Sequence, residues 1–170
     1  MLVTENVMTI NSAAFRLRDL AVAVAATGVP LSLAHQRLQS YVKKGLLRVR
    51  VNGRNTSPNL FAREDMAVAL VLSAFVEAGA HLPIITAASK ALYADGALEA
   101  ASEGALWGQE WVCRVWMTRD GQNRTVKDAA GALIFNAEVA RAGKPRGFEV
   151  VMNPMLKVLS PLTRMDDHVA

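Results

Sequence analysis

Acidic side chains are missing from one long stretch of this 170-residue chain. Between Asp19 and Glu64 there is none, while six basic residues fall there before Arg63. Cysteine is almost as scarce: the single Cys113 excludes an intramolecular disulfide and a multi-cysteine metal site. Long apolar runs are lacking too. The longest, Ala21–Ala26 and Met66–Leu72, fall far short of the ~20 residues a bilayer span requires, so no membrane contact is expected. The opening MLVTENVMTIN has no basic segment ahead of an apolar one, so no secretory signal is expected. These features together predict a cytoplasmic protein. No phosphate-binding glycine loop, no carboxylate pair of defined spacing, no internal repeat and no low-complexity run stands out.

With 52% hydrophobic and 20% charged residues, the chain has the balance of a globular protein with a real core. Its net charge of +4 is unevenly placed. Residues 1–96 hold ten Lys/Arg against six Asp/Glu, and residues 97–170 hold nine of each. The whole excess therefore lies in the first part, which points to a polyanionic partner there.

The organising stretch is residues 31–54. On a helix, Leu31, Ala34, Leu38, Tyr41 and Val42 form one apolar stripe. Ser32, His35, Gln36, Gln39 and Lys43 lie on the other face, which carries no carboxylate. Gly45 should end that helix. Leu46 to Val51 then alternate as a strand with Arg48 and Arg50 on one side, and Asn52-Gly53 reads as a hairpin turn, with Arg54, Asn55 and Pro58 in the loop and Asn59–Phe61 returning. A preceding helix is expected from Phe15 to Ala26, closed by Thr27-Gly28, and Val29-Pro30 opens the next. Two helices joined in this way make a helix-turn-helix, whose second helix enters a nucleic-acid groove. A carboxylate-free helix followed by a basic hairpin is the pattern of a winged-helix DNA reader.

Beyond it, Arg63, Glu64 and Asp65 open a third helix, where the acids complement the dipole. Its continuation is apolar nearly all round, so it should be covered on several sides, by the chain's own core and by a partner subunit. Leu82-Pro83 starts a fourth helix with Ile84, Ile85, Ala88, Ala91 and Leu92 as its stripe. A boundary is expected in the small, Gly/Ala-rich residues 97–108. Trp111 to Met117 and Phe148–Met152 read as strands, with Asp120-Gly121 as a hairpin turn. Residues 127–141 fit helix and strand equally well. The predicted class is α+β: a winged helix-turn-helix of four helices plus a β-hairpin wing over residues 1–96, and a small α+β region over 97–170.

Residues 15–94 resemble the DNA-binding domain of the MerR family. The elements that carry the resemblance are Leu17-Arg18-Asp19-Leu20-Ala21, Thr27-Gly28-Val29, Tyr41-Val42-Lys43-Lys44-Gly45-Leu46-Leu47, Phe61-Ala62-Arg63-Glu64-Asp65, and Glu77-Ala78-Gly79 followed by Leu82-Pro83-Ile84-Ile85. The chain departs from that pattern in three ways. The spacing from Gly28 to Gly45 is longer, Gln39 stands where members usually carry a mid-helix arginine, and Asp95-Gly96 and Gly104 interrupt the long dimerising helix. The resemblance therefore implies DNA binding, but neither the family's mode of dimerisation nor its promoter-twisting mechanism.

The groups expected to face DNA are Ser32, His35, Gln36, Arg37, Gln39, Ser40, Lys43 and Lys44 from the helix, and Arg48, Arg50, Arg54 and Asn55 from the wing. Arg and Lys suit guanine edges and phosphates, and Gln suits adenine; wing contacts supply affinity and salt dependence rather than sequence information. Cys113, flanked by Trp111, Val112 and Val115, reads as a small apolar core residue. A thiol nucleophile would need an activating base, and three scattered histidines offer no metal spacing. Trp107, Trp111 and Trp116 fit a ligand pocket, or more simply core or interface. The expectation is a bacterial or phage transcriptional regulator, not an enzyme and without a cofactor. It would bind double-stranded DNA as a homodimer on an inverted repeat, with residues 97–170 dimerising, sensing a small molecule or binding another protein. The alternatives are an excisionase-like or phage DNA-packaging factor that binds DNA architecturally, and a protein-interaction module whose winged helix binds no DNA.

Overall fold

Two aspartates at matching positions start two of the helices. Asp19 accepts the Arg16 N–H and Asp65 accepts the Ala62 N–H, each at 2.7 Å; each carboxylate thus satisfies a donor that a helix start leaves free. In the computed structural model, which describes residues 14–53, 57–119, 126–135 and 147–159, these mark the starts of α1 (Leu17–Ala25) and α3 (Arg63–Glu77). A two-residue strand precedes each: β1 (Phe15–Arg16) and β2 (Leu60–Phe61) pair antiparallel with Phe15 opposite Phe61. The first helix therefore starts two residues later than its periodicity implies, because Phe15 and Arg16 are extended in this pairing.

After α1 the chain turns through Gly28, at φ +105°, and enters α2 (Leu31–Lys43). Gly45, at φ +70°, ends that helix, a conformation glycine adopts without strain. The Leu46 N–H reaches back to the Tyr41 carbonyl at 2.8 Å. Ala34, Leu38 and Tyr41 are buried as the stripe requires, and Val42 is half-buried. Leu31 is not: in the first turn of α2 it is 46% exposed.

The strand expected over Leu46–Val51 reduces to a single bridge between Val51 and Leu60. The segment from Leu46 to Arg50 is instead pinned from the side by α4 (Leu82–Leu92), through a bond from the Ser89 hydroxyl to the Leu46 carbonyl. Asn52-Gly53 does not make a two-residue turn with positive φ at both positions; Gly53 is not among the positive-φ glycines. It opens a longer loop in which its N–H donates to Asn59 Oδ1 at 2.8 Å. A Cβ at Gly53 would lie 2.0 Å from the Ser57 carbonyl oxygen, so close backbone approach is what calls for glycine.

α3 is the central helix. Residues Ala67–Ser73 and Phe75 are all buried. Its cover comes from α1, α4, the strand β5 (Gly147–Val151), the short helix α6 (Asn153–Leu156) and the 3-10 turn Lys157–Leu159. Its apolar circumference is thus explained within one chain. In α4, Ile84, Ile85, Ala88, Ala91 and Leu92 are buried as expected.

Residues 97–108 hold α5 (Ala97–Leu106), separated from α4 by Gly96 at φ +71°. Gly104 sits inside this helix, where a Cβ would lie 2.3 Å from the Trp111 indole nitrogen. The strands β3 (Trp111–Arg119), β4 (Val126–Phe135) and β5 form an antiparallel sheet in the order β4-β3-β5. Strand therefore wins over helix for residues 127–135; residues 136–141 and the Asp120-Gly121 turn lie outside the described residues. Cys113 and Val115 join the core from β3. α4 packs closely on this sheet, the place of a Gly131 Cβ being 3.0 Å from the Ala87 carbonyl oxygen. Buried residues on both sides of position 96, from Leu20 to Leu159, share one cluster. Trp111 and Trp116 are half-buried on β3, but Trp107 caps α5 with 81% of its surface exposed. Among the described residues the protein is α+β with two small antiparallel sheets, and no helix is long and apolar enough to cross a membrane.

Candidate functional site

The polar face of α2 is largely open to solvent. Ser32, Gln36, Gln39, Lys43 and the following Lys44 are exposed, and His35 and Ser40 are half-buried. Gln39 and Lys43, one turn apart, edge an open groove of about 450 Å³. Leu17, Val42, Pro58, Asn59 and Phe61 complete its lining. Helix spacing thus puts an amide and an ammonium on one wall while the returning chain supplies another amide, Asn59. Residues 31–54 do not predict that last contribution, which comes from the chain just ahead of β2.

The basic residues fare differently from one another. Arg37 is ion-paired with Glu77 at the end of α3, and its side chain is 20% exposed. Arg50 is turned inward: its Nε and Nη2 lie 2.9 Å from the two oxygens of Asp65, and Nη2 lies 2.6 Å from Glu64. These contacts hold the guanidinium well above its ordinary pKa, the hydrogen bond to Asp65 contributing most. The expectation that Arg50 projects from a strand to meet a partner is therefore corrected; the strand is absent and the carboxylates of α3 claim the side chain. Arg54 and Asn55 lie outside the described residues. Arg48 is exposed, with its guanidinium carbon 4.3 Å from the centre of the Tyr93 ring.

Asp65 is the hub beneath this segment. Fully buried, it accepts bonds from Arg50, from the Ala62 N–H and from the Tyr93 hydroxyl at 2.8 Å. The same hydroxyl accepts the Arg48 N–H at 3.1 Å. Burial, reinforced by the Asp65 charge, pushes the Tyr93 hydroxyl far above its ordinary pKa, so it stays protonated and donates. Sequence reasoning placed Asp65 at the helix dipole and passed over Tyr93. The available signal was Ser89 and Tyr93, hydroxyl-bearing residues one turn apart at the end of an Ala-rich apolar run.

Beside Tyr93 a cavity of about 170 Å³ is lined by Arg48 and Arg50 but also by Glu64, Asp95 and Glu99. This mixed lining selects neither an anion nor a cation. Cys113 is fully buried, and burial pushes its thiol up to about 12, the opposite of an activated nucleophile. No group of three or more His, Cys, Asp or Glu side chains among the described residues could hold a metal ion. No protein-family model matches the chain, and no curated protein matches it.

Proposed function

We propose that this protein is a sequence-specific DNA-binding regulator, with a MerR-like winged helix-turn-helix in which α2 enters the major groove. The observation that carries this reading is the exposed face of α2 formed by Ser32, Gln36, Gln39 and Lys43. It bears hydrogen-bonding and cationic groups, no carboxylate of its own, and a groove alongside that the returning chain walls. Gln36 and Gln39 suit base edges, whereas Lys43, Lys44 and Arg48 suit phosphates. The segment 46–61 then acts as the wing. Arg37 is a weaker candidate for base contact than residue type alone implies, because Glu77 holds it.

A single module of this kind makes a small DNA interface, so the reading includes a homodimer on an inverted repeat. Selection of bound sequences from random duplexes tests both points. A palindromic motif is expected, and Gln36→Ala and Gln39→Ala should each relax preference at one position by about 1–3 kcal/mol. Lys43→Ala should weaken binding to all sequences alike and lower the salt slope by about 1. Binding without any motif would instead fit an architectural role in excision or DNA packaging.

A second reading rests on Leu31 and Leu33, which are 46% and 37% exposed in the first turn of α2. Exposed leucines beside a basic helix suit an acidic protein partner as well as a groove. Absence of duplex binding at low salt would favour that reading.

A further inference from the structure

The cavity beside Tyr93 belongs to a latch rather than to a ligand site. Three contacts reach residues 46–50 from α4, from Tyr93 just after it, and from α3. The Ser89 hydroxyl donates to the Leu46 carbonyl at 2.8 Å, the Tyr93 hydroxyl accepts the Arg48 N–H at 3.1 Å, and Asp65 holds the Arg50 guanidinium. The Tyr93 hydroxyl bridges two of these by donating to Asp65 at 2.8 Å. Its ring meanwhile lies against the Arg48 guanidinium. Arg48 is thus held at backbone and side chain by one residue, yet remains exposed. Glu64, Asp95 and Glu99 also line that cavity, the last two exposed, so a phosphate has to meet Arg48 on a side those carboxylates leave open.

Resting on the DNA-binding reading, we infer that Tyr93 is a positioning residue that fixes Arg48 for contact with the DNA backbone. A stacked guanidinium has given up rotamer freedom before the phosphate arrives, which lowers the ordering cost of the contact. The hydroxyl sets where along the segment the arginine emerges. Asp65 accepts four hydrogen bonds, so loss of the hydroxyl alone leaves that carboxylate bonded to Arg50 and Ala62.

The test measures full-length protein against a fluorescent random-sequence duplex at several salt concentrations. The variants are Tyr93→Phe, Arg48→Ala, Ser89→Ala and the Tyr93→Phe/Arg48→Ala pair, with thermal melting of each. Arg48→Ala should weaken binding several-fold and lower the salt slope by about 1; Tyr93→Phe, which keeps the stacked ring but frees the Arg48 N–H, should move both in the same direction by a smaller amount. In the Arg48→Ala background it should add nothing. A purely structural role would reduce the active fraction and leave the slope unchanged, and that result overturns the inference, as do independent, multiplying effects of the two substitutions. If Tyr93→Phe does not fold, Ser89→Ala decides by the same slope, because it releases the segment without touching Asp65. Wild-type protein that ignores duplex DNA overturns the DNA-binding reading and the positioning role together. Wild-type binding with a wild-type slope in the hydroxyl variants overturns the positioning role alone.

Discussion

Arg50 faces Asp65, not solvent: two of its nitrogens sit 2.9 Å from the two oxygens of a carboxylate with no exposed surface. A bidentate pair of this kind is directional as well as charged, and it ties the segment after α2 to the start of α3. Removing one partner of a buried pair leaves the other short of bonds. Asp65→Ala also strips the Ala62 N–H and the Tyr93 hydroxyl of their acceptor. The expected loss is about 3 kcal/mol of folding stability, toward the low end because Arg50 is partly exposed and keeps Glu64. Urea unfolding of the variant beside the parent measures it.

Tyr93 supplies a pH dependence with a definite sign. Burial and the Asp65 charge raise its folded-state pKa above the unfolded value near ~10. The folded state therefore holds this proton more tightly. The stability it contributes is complete below pH ~10 and is lost as pH rises beyond that. Tyr41, raised chiefly by burial, acts in the same direction. Stability should fall above pH ~10, and Tyr93→Phe should fall less steeply than the parent. Equal slopes in the two proteins would show that Tyr93 ionises as freely folded as unfolded.

Glu77 restrains the one arginine on α2. Its side chain is 56% exposed, so the pair adds little to stability, about 0.5 kcal/mol or less. Glu77→Gln should leave the melting temperature nearly unchanged. On the DNA-binding reading it should also raise affinity several-fold at low salt, since one more guanidinium becomes available to phosphate. Isothermal binding titrations at two salt concentrations distinguish that gain from no change.

Cys113 provides a probe of the core. With its thiol pushed up to about 12 by burial, the thiolate fraction at pH 8 is roughly one in ten thousand, and the sulfur is inaccessible as well. Alkylation by iodoacetamide at pH 8 should be undetectable over hours in the folded protein and complete within minutes in urea. Rapid labelling of native protein would mean that the β3–β5 sheet opens locally.

Much of the local structure was legible from residue order. The apolar stripe of α4 and that of α2 beyond Leu31, the end of α2 at Gly45, and the strands at Trp111 and Phe148 follow from periodicity and from glycine at positive φ. These are properties of neighbours in sequence, set by spacing and backbone sterics. Burial of Cys113 follows from its apolar flanks in the same way.

What only the tertiary structure decided is how each charge is spent. The stretch after Asp19 has no acid of its own, yet α3 brings Glu64, Asp65 and Glu77 onto Arg50 and Arg37. Partners 14 to 40 residues away cannot be read from local charge balance. Likewise, Leu46–Arg50 alternates like a strand but is pinned by side-chain bonds from Ser89 and Tyr93, and the chain meets β2 only at the Val51–Leu60 bridge. Sequence spacing specified the helices and the chemistry on their faces. Long-range packing, which satisfies buried polar groups wherever the fold brings a partner within reach, chose which of those groups remain free to meet a ligand.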